Sequence, residues 1–147
     1  MLSFIKFLRE SDERQSYTVR PKTKSELIKI VKSTIKEKGN NCDLNFIDTS
    51  LITDFNKLFD GCSRFNGDIS RWDVSRCQLM VGMFSGSKFN SNISEWNVSN
   101  VEDMWGMFNK STFNQDISKW KLRKDCKIVI MFDKCPIKEE YKPKYLI

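Results

Sequence analysis

Residues 89–108 read FNSNISEWNVSNVEDMWGMF, and residues 65–84 read FNGDISRWDVSRCQLMVGMF. These stretches are successive copies of one unit, and its large apolar residues recur 24 positions apart. A period of about 20 to 50 residues predicts stacked units that bury their apolar faces against one another. The repeating residues are Phe65, Phe89 and Phe113; Ile69, Ile93 and Ile117; and Trp72, Trp96 and Trp120.

Two different apolar spacings occur within each unit. Trp72 and Val74 alternate with polar neighbours, as on a half-buried strand. After Ser99 the apolar residues recur at steps of three and four, which predicts a short helix, and Ser99 with Glu102 has the spacing of a capping box. We therefore predict an α/β fold: a leucine-rich-repeat-like solenoid of about four 24-residue strand–helix coils, with a parallel sheet on one face and an N-terminal capping helix.

The chain divides into four segments. Thr23 and Glu26 have capping-box spacing ahead of an apolar helical face, and Gly39 is a suitable end for that helix. We expect a leader and linker over residues 1–22, a capping helix over 23–42, the repeat units over 43–135 and a C-terminal cap or tail over 136–147.

Composition and cysteine content favour an intracellular location. No apolar run approaches the roughly 20 residues that a membrane-spanning helix needs, and the N-terminus lacks the pattern of a secretory signal. Cys62 and Cys135 fall in about the same repeat column, three coils or roughly 14 Å apart, at about 4.8 Å per coil. A disulfide requires Cα atoms within about 7 Å, so we expect reduced thiols that fill the core.

The repeated unit, Phe-Asn-x-Asp-Ile-Ser-x-Trp-Asp-Val-Ser-x-Val-x-x-Met-x-x-Met-Phe, resembles that of the BspA-like leucine-rich repeat proteins. These occur as bacterial surface proteins and, in short versions, in phage genomes. The resemblance covers about residues 43–135, and with the flanking segments about 21–144. It implies protein binding or adhesion without catalysis. The chain differs in lacking a visible export signal or wall anchor, so we expect an intracellular protein.

A second resemblance concerns the first ten residues. Met1–Glu10 is similar to the short leaders that direct internal head proteins into the capsids of some large tailed phages. Such leaders are cut after a Leu-x-Glu motif, which Leu8-Arg9-Glu10 would match. It implies a location inside the virion. The alternative is a terminal helix that packs on the cap.

The chemistry of the side chains argues against an enzyme. The chain has no histidine, which removes the commonest general base and the commonest metal ligand. Asp68, Asn92 and Asp116 form a column that could hold calcium, but hydrogen bonds that stabilise turns are the preferred interpretation. We predict no catalytic residue, no metal and no cofactor.

Polar positions of the predicted strands are the candidate binding site. They point away from the core onto the sheet face, which solenoids use to bind partners. Trp105 lies off the consensus apolar positions and is a candidate contact on the convex side. The predicted partner-binding residues of the sheet face are Phe46, Asp48, Arg71, Asp73, Glu95, Asn97, Lys119, Lys121 and Arg123.

The predicted function is a protein–protein interaction module whose partner the sequence does not name, and a phage-encoded protein is its most specific form. Two alternatives stay open beside it. One is an oligomer that pairs exposed coil edges. The other is a nucleic-acid-binding protein, for which a steep dependence of affinity on salt is expected. It would use the basic last coil, with Lys119, Lys121, Arg123, Lys124 and Lys127.

Overall fold

The computed structural model of the chain describes residues 17–146, which contain one α-helix, α1 (Lys24–Lys38). Its N-cap is Thr23, whose hydroxyl accepts a hydrogen bond from the backbone N–H of Glu26 at 3.2 Å. Gly39 ends the helix with a φ of 92°, and its N–H donates to the carbonyl of Ile35. Leu27, on the inner face of α1, is fully buried in the same core as the repeat units. None of the described helices is long and apolar enough to cross a membrane.

The other regular elements lie at the C-terminal end. Strands β1 (Lys121–Leu122) and β2 (Tyr145–Leu146) pair in parallel, and a single 3-10 turn covers Glu139–Tyr141. The N–H of Ile117 also donates to the carbonyl of Tyr141 at 3.0 Å. The C-terminal tail therefore covers one side of the last unit. The predicted leader, Met1–Glu10, falls outside the described residues.

The prediction of an α/β solenoid with four strand–helix coils is wrong. The repeat units contain turns and isolated parallel bridges in place of the predicted helices and sheet. The predicted capping serines serve a different local structure: Ser99 donates its N–H and its hydroxyl to the Asn97 side chain, two residues back. Positive φ angles also interrupt any helix in these segments, at Gly82 (58°), Gly86 (66°) and Gly106 (59°).

Hydrogen bonds between units explain why no helix forms there. Four alternate residues of one unit donate their N–H groups to carbonyls 23 residues further along the chain. A backbone N–H that donates to the next unit is not available for the i−4 carbonyl of a helix. We call each such set of alternate N–H groups a donor row. The first comprises Met80, Gly82, Phe84 and Gly86, and the second comprises Met104, Gly106, Phe108 and Lys110.

Columns of aromatic rings form the core. Phe84 and Phe108 have centroids 5.6 Å apart, and Phe108 and Phe132 are 5.7 Å apart, with nearly parallel planes. The three tryptophans of the repeat column, Trp72, Trp96 and Trp120, are buried, and each donates its Nε1–H to a carbonyl of the preceding unit; for Trp96 the acceptor is Ile69 at 3.0 Å. The expectation that the tryptophan column belongs to the core is thus confirmed. Ring stacking and indole hydrogen bonds hold one unit against the next.

Candidate interaction surface

An open depression of about 360 Å³ brings together part of the predicted binding face. Tyr17, near the start of the described chain, reaches it from outside the repeat units. The unit that contains Trp72 and the following unit supply the rest. The side chains that give it its chemistry are Tyr17, Arg71, Asp73, Glu95 and Asn97; we call this the Arg71 depression.

Residues ahead of α1 bring Tyr17 to this surface. Val19 forms a parallel bridge with Ile47, and the N–H of Asp48 donates to the carbonyl of Val19 at 2.8 Å. The Tyr17 hydroxyl donates to the carbonyl of Arg71 at 3.4 Å. The segment predicted as part of a leader and linker thus pairs with the first unit. Tyr17-Thr18-Val19 is rich in residues that favour strands, and this signal could have indicated pairing.

Electrostatics at Tyr17 keep its hydroxyl protonated. Burial raises the pKa of the Tyr17 phenol, and the carboxylates of Asp48 and Asp73 raise this pKa further. The hydroxyl is therefore a hydrogen-bond donor or acceptor at neutral pH, and it is not a base. Asp48 itself is held at 3.1 Å by the guanidinium of Arg20.

Three of the predicted binding residues also stabilise turns. Asp48, Asp73 and Asn97 each accept, through Oδ1, the backbone N–H of the serine two residues further on, at 3.0 to 3.1 Å. In Asp73 the same oxygen also accepts the Ser75 hydroxyl at 2.6 Å. Their Oδ1 atoms are engaged in local structure. The second oxygen of Asp48 contacts Arg20, so only Oδ2 of Asp73 and Nδ2 of Asn97 are left for a partner among these three side chains.

The remaining predicted face residues are spread over the surface. Phe46 is half-buried and packs against the core. Glu95 and Lys119 form a widely exposed ion pair at 3.9 Å, and Lys121 lies in β1. The guanidinium of Arg123 contacts both Asp125 and Glu102, and its hydrogen bond lowers the pKa of the Asp125 carboxyl. These residues lie outside the Arg71 depression, except for Glu95.

The predicted convex contact, Trp105, is 46% exposed. Its carbonyl accepts the N–H of Gly82, and its own N–H donates to the Asp103 side chain. The backbone around it is therefore fixed by hydrogen bonds, while the indole ring faces solvent. Trp105 is not among the residues that line the Arg71 depression.

A family model described as "Mycoplasma protein of unknown function, DUF285" matches residues 28–143. The chain belongs to the DUF285 family. The matched region begins within α1, contains all of the repeat units and ends in the C-terminal tail. No curated protein and no solved structure matches the chain.

A column of asparagines in the DUF285 chain, Asn66, Asn90 and Asn114, makes hydrogen bonds along the stack beside Asp68. Asn66 accepts the N–H of Asn90 at 2.8 Å, and Asn90 accepts the N–H of Asn114 at 2.8 Å. Asp68 accepts both the N–H and the hydroxyl of Ser70. Burial raises the pKa of its carboxyl, but the Ser70 hydrogen bonds, together with Asn45 and the charge of Arg71, lower it below its ordinary value. Within residues 17–146 no group of three or more cysteine, aspartate or glutamate side chains could hold a metal ion.

All five cysteines of the DUF285 chain are free thiols. Burial raises the pKa of Cys77 to about 12 and that of Cys126 to about 11. Because the thiolate is the reactive form, both should be inert at neutral pH.

We expect Cys77 in the folded protein to react with iodoacetamide at pH 8 at least about 100-fold more slowly than the partly buried Cys62, from its lower thiolate fraction and its burial. Peptide mapping by mass spectrometry after timed labelling measures both rates. In guanidinium chloride the two rates should converge, which serves as the control. Equal rates in the folded protein would contradict the burial of Cys77.

Proposed function

We propose that this DUF285 protein is a non-enzymatic module that binds another protein at the Arg71 depression. The observation that carries the proposal is the meeting of Tyr17, Arg71, Asp73, Glu95 and Asn97, from three separate stretches of sequence, in one open recess. Tyrosine and arginine are enriched among residues that dominate protein–protein binding energy. Donors, acceptors and both signs of charge lie side by side there, which suits a partner surface of mixed polarity.

The family assignment supports the same class of function. DUF285 is associated with BspA-like repeat proteins, and the sequence resembles the short, phage-encoded versions of that group. In the proposal the protein works inside a cell or a virion, where it binds a host or viral protein. The absence of histidine from the whole chain supports a binding role over acid–base catalysis.

A charge-reversal variant tests the proposal. The triple variant Arg71→Glu/Glu95→Lys/Lys119→Glu inverts the charges at and beside the depression while it preserves an opposite-charge pair at positions 95 and 119. All three residues are exposed, so folding should be unaffected. Lys29→Glu changes the net charge by the same amount on the exposed side of α1 and is the matched control.

The measurement is affinity capture from lysate of the source organism or its host. We expect wild type and Lys29→Glu to capture the same protein. The triple variant should capture at least about tenfold less of it. Circular dichroism checks that the variants are folded. If the triple variant retains the same proteins as wild type, the Arg71 depression is not the binding site.

The alternative is a nucleic-acid-binding protein, but the ion pairs of its candidate residues make it less favourable. Lys119 pairs with Glu95, Arg123 with Glu102 and Asp125, and Lys127 with Asp103. Carboxylates beside these cations reduce the field that a phosphate backbone would meet. A labelled single strand of DNA titrated at two salt concentrations tests it, because nucleic-acid affinity should fall steeply with salt.

A further inference from the structure

The last unit presents a third donor row that has no acceptors. By the 24-residue period it corresponds to the two rows that join successive units, and its members are Ile128, Ile130, Phe132 and Lys134. Within residues 17–146 nothing accepts a hydrogen bond from these four N–H groups. The carbonyls between them, at residues 127, 129, 131 and 133, already accept the N–H groups of the second row.

Exposed apolar side chains adjoin this donor row. Ile128, Val129 and Ile130 are 45%, 61% and 38% exposed, and the neighbouring Trp105 is 46% exposed. These four are the exposed large hydrophobic residues of the described chain. The C-terminal tail contacts the adjacent Phe132 through Lys142, and its strand pairs with β1. The tail thus leaves residues 128–130 uncovered.

The backbone angles of this row match those of the preceding unit. Ile130 and Lys134 have φ angles of 49° and 53°, in the same columns as Gly106 (59°) and Lys110 (56°) of the preceding unit. The third row therefore shares these backbone angles with a row that does bind carbonyls, and it could accept one more segment of the same conformation.

We propose that a segment of another protein, in the turn conformation of residues 102–110, binds this edge as one further rung. Its backbone carbonyls would accept the N–H groups of Ile128, Ile130, Phe132 and Lys134, and its apolar side chains would cover Ile128 and Val129. Such addition of a peptide to an exposed edge derives affinity from main-chain hydrogen bonds and specificity from side-chain contacts. This surface is distinct from the Arg71 depression and does not depend on it.

The charge and polarity of the edge indicate which kind of segment would bind there. The carbonyls that accept hydrogen bonds from the first donor row belong to residues 102–110. This segment begins with two acidic residues, Glu102 and Asp103. Within the stack the Asp103 carboxylate lies 3.9 Å from the ammonium group of Lys127. The third row begins directly after Lys127, and an acidic residue at the start of the added segment would meet this ammonium group from its other side. The occupant is therefore an apolar segment with acidic residues at its start.

A second copy of the chain fits this edge less well. Two copies joined through the same edge would set N–H groups against N–H groups, because the carbonyls of the row are already engaged. At the opposite end of the stack α1 packs with Leu27 and Val31 fully buried, and its Lys24 contacts the Asp54 carboxylate at 3.0 Å, so the helix lies against the end to which a second copy would have to add. These observations favour a foreign segment over self-association.

Amide hydrogen exchange tests the proposal on the full chain. The probe is a synthetic peptide with the sequence EDMWGMFNK, which copies residues 102–110, added at millimolar concentration. We expect the N–H groups of Ile128, Ile130 and Phe132 to exchange rapidly in the free protein and at least about tenfold more slowly with the peptide. A scrambled peptide of the same composition should give no protection, and Val129→Lys should abolish the effect.

Each other outcome would overturn the proposal. Unchanged exchange in the presence of the peptide would show that the edge does not accept a further rung. Protection in the free protein that persists on dilution and disappears when residues 1–16 are deleted would assign the edge to the chain's own N-terminal segment. Protection in the free protein that is lost on dilution would assign it to a second copy. Val129→Lys lies at an exposed position, so folding should be retained and the comparison stays valid.

Discussion

Replacing Gly67 with alanine is expected to lower the free energy of unfolding by about 3 kcal/mol, at the upper end of the range for overpacking. A Cβ atom at position 67 would overlap the carbonyl oxygen of Cys42 and would lie 2.6 Å from Cε2 of Phe65. Neither group can move away without losing contacts of its own. The Cys42 carbonyl accepts the N–H of Asp68, and the Phe65 ring is buried and stacked 4.7 Å from Phe59. Urea unfolding followed by tryptophan fluorescence measures the change.

Gly61→Ala is the matched control for this prediction. Gly61 has a φ of 78°, but a Cβ atom added there would meet no other atom within 4 Å. Alanine at position 61 therefore adds only the cost of a left-handed conformation, about 1 kcal/mol. The two variants separate steric crowding from backbone strain. If Gly67→Ala costs no more than Gly61→Ala, the close approach of the Cys42 carbonyl is not present in solution.

Replacing Phe108 with alanine is expected to lower the free energy of unfolding by about 4 kcal/mol. Its fully buried ring lies between Phe84 and Phe132 in the column and also stacks 4.2 Å from Phe113. Removing it leaves a cavity that spans two interfaces between units, and the neighbouring rings cannot close over it because the inter-unit hydrogen bonds fix their backbones. The same urea titration measures the effect.

Phe132→Ala tests whether position in the column determines that cost. Phe132 is half-buried at the end of the column, and among residues 17–146 only Phe108 stacks on its ring. We therefore expect its removal to lower the free energy of unfolding by about 1 to 2 kcal/mol. A cost at Phe132 as large as that at Phe108 would contradict the stacking order. It would then mean that the end of the column is as well covered as its middle.

The candidate interaction surface was predictable only in part. Repeat columns indicated that Arg71, Asp73, Glu95 and Asn97 share one surface, and the structure places them around one depression. Tyr17 was missed, because the pairing of Val19 with Ile47 joins residues that no periodicity relates. The engagement of Arg123 with two carboxylates was missed for a related reason, since ion pairs depend on side-chain geometry.

The sequence by itself determined which repeated apolar residues are buried and that each packs near its counterpart 24 residues away. Phe89, Ile93 and Trp96 and their counterparts 24 residues away are core residues, because a repeated apolar pattern can be satisfied only by stacking like on like. Only the tertiary structure decided the path of the backbone between them. The spacing after Ser99 suits a helix, yet alternate N–H groups from Met104 onward find carbonyls in the neighbouring unit. A hydrogen bond to the neighbouring unit replaces one within a helix, and local sequence does not reveal which of the two acceptors will be present.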